Sequence, residues 1–79
     1  MNTLSGIHAV REALDAGHPL ERVMVAQGAA GPRLQQIIDQ CRRRNIPVRF
    51  EPRNVLDRMS GTAAHQGVVA VGAAYRYRE

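Results

Sequence analysis

Two kinds of hydrophobic spacing alternate along the chain, one suited to helices and one to strands. Ile7, Val10 and Leu14 recur at helical intervals, with His8, Arg11, Glu12 and Asp15 off that face. Thr3 or Ser5 is placed to cap this helix, which runs to about Ala16 before Gly17 supplies a left-handed stop. From Arg22 the run Val23, Met24, Val25, Ala26 is apolar at every position, as expected of a central strand covered on both faces. Gln27 and Gly28 mark its end.

Gly31 and Pro32 open a second helix, where proline's missing N–H has no intrahelical partner to lose. Leu34, Ile37, Ile38 and Cys41 form the clearest amphipathic stripe in the sequence. Arg42, Arg43 and Arg44 fall in its last turn, opposing the negative end of the helix dipole, and Asn45 takes the terminating left-handed conformation. After Pro47, Val48 and Phe50 alternate with Arg49 and Glu51, a half-buried strand that directs Phe50 inward. Pro52 and Asn54 begin a short third helix through Val55, Leu56 and Met59, ended by Ser60 and Gly61. A polar loop from Thr62 to Gln66 leads to a buried strand from about Gly67 to Ala73, and Tyr75 to Glu79 read as a linker.

Helix and strand therefore alternate three times, which the layer rule turns into a three-layer α/β/α sandwich. A right-handed crossover makes the first two strands parallel. Three strands leave open sheet edges, with room for an added strand, a partner subunit or a neighbouring domain.

Composition narrows the function classes. Seventy-nine residues support a single core, and 44% hydrophobic with 23% charged residues is globular, not collagenous, disordered or coiled-coil. The longest apolar run, near Val68 to Val71, falls far short of the ~18 residues of a membrane span, so a soluble chain without an export signal and without a membrane partner is expected. The single Cys41 excludes an internal disulfide and fits a reducing cytoplasm. All eleven basic side chains are arginine, against seven acidic ones, for a net charge of +4. Arginine's planar fork pairs bidentately with phosphate, so this balance favours a polyanionic partner.

Catalytic patterns are lacking. Gly28 and Gly31 do not complete a dinucleotide or P-loop motif. Cys41, on the apolar stripe, reads as an inert core thiol, and His8, His18 and His65 have no spacing that assembles a metal site. Neither Ser5, Ser60 nor the carboxylates form a nucleophile-and-base arrangement.

Three stretches taken together are more specific: Gly6-Ile7-His8-Ala9-Val10-Arg11-Glu12-Ala13-Leu14, Leu56-Asp57-Arg58-Met59-Ser60-Gly61 and His65-Gln66-Gly67-Val68-Val69-Ala70. With them the chain resembles the N-terminal substrate-binding domain of the SpoU-type (TrmH-like) RNA 2′-O-ribose methyltransferases, closest to the branch acting on a guanosine of large-subunit rRNA. The resemblance implies a small mixed sheet, a fold similar to ribosomal proteins that bind kink-turn RNA, and a role holding rRNA for a separate knotted catalytic domain. Residues 1–74 would then be the RNA-binding domain and 75–79 the start of a linker. S-adenosylmethionine is expected in that other domain, for which this chain has no counterpart, so no catalytic or cofactor role falls on any residue here. Its own catalytic domain and a homodimer through the full-length enzyme are the implied protein partners. Two other readings stay open: a dimerisation or docking domain with little RNA affinity, and a free-standing ribosome-associated RNA-binding protein.

In the resembling fold the last strand runs antiparallel to the first, gathering Gln27 to Arg33, Pro52 to Asn54, Thr62 to Gln66 and the start of the first helix at one rim. The candidate RNA-binding residues are accordingly His8, Gln27, Arg33, Arg53, His65 and Gln66. His65 and Gln66 have an alternative task in fixing the turn into the last strand, and His8 in bonding a helix end. Arg33 and Arg53 have one as solvated charges, and Arg42 to Arg44 as dipole complement at the opposite rim. With Phe50 inward, stacking of bases on the sheet is not expected, leaving shape, phosphate and the 2′-hydroxyl as the basis of recognition.

Overall fold

The computed structural model describes residues 3–61 and 65–72. Its elements run β1 (Thr3–Ser5), α1 (Ile7–Asp15), β2 (Leu20–Ala26), α2 (Pro32–Arg43), β3 (Val48–Glu51), α3 (Arg53–Ser60) and β4 (Val68–Gly72). They form a four-stranded sheet of order β1-β4-β2-β3, in which β2 and β3 are parallel while β4 is antiparallel to both β1 and β2. β1, β2 and β3 therefore all point the same way, and each enters its helix at the same rim.

The first strand corrects the sequence reading. Thr3 and Ser5 do not cap α1; they pair with Val71 and Val69 across β4, supplying the added strand that the open sheet invited. A bare edge on β4 would leave main-chain groups without ladder partners, and three residues suffice to cover it. The chain then turns into α1 through Gly6 at φ 98, a conformation that side chains rarely adopt. β2 also begins two residues earlier than Arg22, with a register irregularity between Leu20 and Arg22. At Gly17 (φ 75) and Asn45 (φ 59) the helix stops are left-handed, as the sequence implied, and Gly61 (φ 74) ends α3 in the same conformation.

Three layers result. On one face, Val10 and Leu14 of α1 and Leu34, Ile37, Ile38 and Cys41 of α2 pack on Val23, Val25, Val68 and Ala70. On the other, Leu56 of α3 packs on Met24, Ala26 and Val69. Because β2 and β4 are covered on both sides, their side chains from Val23 to Ala26 and Val68 to Val71 are all buried, which explains the unbroken apolar runs.

Phe50 departs from its expected inward placement. Its partner Val25 and the same-face Val48 both belong to the α1 and α2 side of the core, yet Phe50 is 52% exposed. Period-two alternation fixes which face a residue takes and says nothing of cover. β3 is an edge strand, with a neighbour on one side only.

Two details set expectations for stability. Arg42 and Arg43 lie in the last turn of α2 as expected, but the Arg44 guanidinium crosses to α1, donating to the carbonyl of Leu14 at 2.9 Å and of His18 at 3.2 Å. It satisfies acceptors at the end of another helix. Arg44→Ala is expected to destabilise the domain by about 1–3 kcal/mol, measured by urea denaturation, with Arg44→Lys restoring only part because an ammonium lacks the fork. Burial pushes the Cys41 thiol up from its ordinary 9.0, opposed in part by the Arg44 charge. A raised folded-state value favours the folded chain below the unfolded pKa, so stability should hold through neutral pH and decline as pH climbs past 9.0. Cys41→Ser should flatten that alkaline decline in denaturation curves taken across pH.

Candidate nucleic-acid interface

The rim at the carboxyl ends of β1, β2 and β3 is sewn together by main-chain bonds between segments distant in sequence. Gly6 N–H donates to Val68 C=O at 3.1 Å, Ala26 N–H to Gly67 C=O at 2.9 Å, and Gln27 N–H to Glu51 C=O at 2.9 Å. The turn before β4 thus lies beside the ends of β1 and β2, and the end of β2 beside that of β3. In open α/β sheets this is the rim where ligands bind.

All three helices open here. Their N-cap positions are Gly6, Gly31 and Pro52; none supplies a side-chain cap, and no helix carries an acidic residue in its first turn. The partial positive charge of each terminus has no carboxylate within its own first turn.

Gly67 brings the parts close. At φ 82 it is in left-handed territory, and a Cβ built on it would sit 3.0 Å from the Ala29 Cβ and 4.0 Å from the Arg53 guanidinium. A side chain there would collide with the loop after β2. Arg53 therefore lies over the turn that leads into β4, where the three-loop convergence required it.

The six sequence candidates separate into two groups. Gln27, Arg33 and Arg53 are exposed at the rim. His8 is exposed in the first turn of α1, with its Nε2 3.1 Å from Glu12. Gln66 is exposed at φ 55, and its Oε1 accepts the Ile7 N–H at 2.9 Å, capping α1 from 59 residues away. Glycine at position 6 fits this cap, because a Cβ there would stand 3.2 Å from that oxygen.

His65 requires correction as a contact residue: it is fully buried. Its Nδ1 accepts the Gly67 N–H at 3.0 Å, which places the ring proton on Nε2, and that nitrogen pairs with the Asp57 carboxylate of α3. Both ring nitrogens are used inside the protein, so the alternative task of fixing the turn is the one the fold assigns. The loop positions Thr62 to Ala64 and the expected linker at 75–79 lie outside the described residues.

The role of Asp57 as partner of His65 escaped the sequence analysis, as did the capping role of Gln66. Neither contact has a fixed spacing; both join a helix to a turn that only the sheet brings near. Gln66 also supports a discriminating substitution. Gln66→Ala should cost about 1 kcal/mol by exposing the Ile7 N–H, whereas Gln66→Glu keeps an acceptor at a positive helix end and should preserve the thermal midpoint.

Comparison with known proteins decides the family. A profile for RNA 2′-O ribose methyltransferase substrate binding matches residues 3–78. The chain belongs to the SpoU substrate-binding family.

Relatives of the SpoU domain lie in the TrmH family of tRNA/rRNA methyltransferases. It is 35% identical over 74 residues to one from Staphylococcus aureus (strain COL), and 38% identical over 74 residues to YacO of Bacillus subtilis (strain 168). Each alignment takes in 94% of the chain and 29% of the relative, so the chain spans under a third of their length. A solved structure of a protein with unknown function from Bacillus halodurans C superposes with a TM-score of 0.72 at 26% identity, covering 91% of this chain and 72% of that one. The chain is thus a SpoU-type substrate-binding domain, built as an α/β sandwich around a mixed sheet. Among the described residues no helix is long and apolar enough to cross a membrane, and no group of three His, Cys, Asp or Glu side chains is placed to hold a metal.

Proposed function

We propose that this domain holds rRNA at the rim where α1, α2 and α3 begin, and presents it to a methyltransferase domain of the same protein. The observation that carries the reading is the convergence of three helix N-termini, none with an acidic residue in its first turn, on a turn overlain by Arg53. Arg33 and Arg53 hold phosphates, and Gln27, His8 and Gln66 meet ribose or base edges. His65 and Asp57 keep the turn in place.

The substrate is large-subunit rRNA, methylated on a guanosine 2′-oxygen, and the catalytic domain binds S-adenosylmethionine. Residues 1–74 form the RNA-binding unit and 75–79 lead toward the catalytic domain. The full-length enzyme works in the cytoplasm as a homodimer.

Titration of the chain with hairpins from large-subunit rRNA tests this. The reading expects affinity that falls steeply as salt rises, since each neutralised phosphate releases condensed cations. Tight self-association with no RNA binding would favour a dimerisation or docking role instead.

A further inference from the structure

Phe50 is the one large hydrophobic side chain that the described residues leave exposed, at 52%. Its place is specific. It pairs with Val25 on the face covered by α1 and α2, and the next residue, Glu51, accepts the Gln27 N–H at the rim. Arg33, exposed in the first turn of α2, belongs to that same face and rim.

A second protein strand fits this edge poorly. β3 has only four residues, is bracketed by Pro47 and Pro52, and carries the charge of Arg49, the devices by which sheets discourage edge pairing. An exposed apolar ring on the same face and rim as Arg33 suits a nucleobase whose neighbouring phosphate is held by arginine, because every base offers a π-face. We propose that Phe50 is a stacking platform for an unpaired base of the bound RNA, with Arg33 on the adjoining phosphate. This rests on the RNA reading above and adds a preference for unpaired over paired RNA.

The test uses the 79-residue chain and two probes: a hairpin with 2-aminopurine in an unpaired loop, and a duplex of the same stem without a loop. Phe50→Ala and Phe50→Leu should weaken hairpin binding roughly five- to hundredfold and leave duplex binding unchanged. Phe50→Trp should keep hairpin affinity, and wild type should quench the 2-aminopurine fluorescence more than the leucine variant does. Circular dichroism should be the same for all, since the ring is half in solvent. If Phe50→Leu binds the hairpin as wild type does while Arg33→Ala binds it less well, stacking is overturned and the RNA reading stands. Wild type binding neither probe overturns both. Self-association abolished by Phe50→Ala with RNA affinity intact would assign the ring to a protein contact and overturn the inference.

Discussion

Replacing Arg33 and Arg53 together by alanine is expected to weaken binding to a large-subunit rRNA hairpin by about tenfold or more near 0.1 M salt. The slope of log affinity against log salt should become shallower by roughly 1.4–1.8, two phosphate contacts' worth. Both side chains are exposed, so the folded state should change by no more than about 0.5 kcal/mol. The matched control is Arg42→Ala with Arg43→Ala, which removes the same charge from the far end of α2. A rim-specific site predicts a much smaller loss for the control. Equal losses in the two double variants would mean that RNA responds to net charge alone and would remove the rim from the account.

Leu56→Ala should have the largest effect on folding. Leu56 is the one residue of α3 that is buried, and it sits among Met24, Ala26 and Val69 on the face that α3 alone covers. Truncating a buried leucine costs about 2–5 kcal/mol, against a total of roughly 4–12 kcal/mol for a domain of this size. A large drop in the urea midpoint is expected. Asp57 and Arg53 ride on the same helix, so loosening it frees the partner of His65 and moves a rim cation. RNA binding should fall with stability at temperatures where the variant is still mostly folded. Full RNA affinity in a variant shown to have lost α3 packing would detach Arg53 from the proposed function.

Helix α2 was readable because Leu34, Ile37, Ile38 and Cys41 meet a one-sided core, and all four are buried. The central strands were readable for the complementary reason that cover on both faces demands apolar residues throughout. β1 was not, because Thr3, Leu4 and Ser5 give one alternation, too short to outweigh the signal of a polar residue ahead of a helix. Phe50 shows a second limit: alternation assigns the face, while exposure depends on whether a helix extends over that edge strand.

The convergence of the loops followed from strand direction, which the family resemblance supplied and local residue pattern does not contain. Given that direction, Gln27, Arg33 and Arg53 fell at the rim. Which polar residues face outward was hidden. His65 and Gln66 are adjacent, yet one is fully buried against Asp57 and the other reaches the first N–H of α1. Polar identity alone cannot separate a residue that holds a turn from one that meets a ligand.

Amide chemical shifts of the isotopically labelled chain, followed during titration with the rRNA hairpin, test the rim most directly. The expected perturbations cluster at Gly6 to Ala9, Gln27 to Arg33, Arg53 to Asn54 and Gln66 to Gly67, in residues that are scattered along the sequence and gathered by the sheet. Perturbations concentrated instead at Arg42 to Asn45 and Gly17 to His18, with the strand-end turns unmoved, would contradict the account.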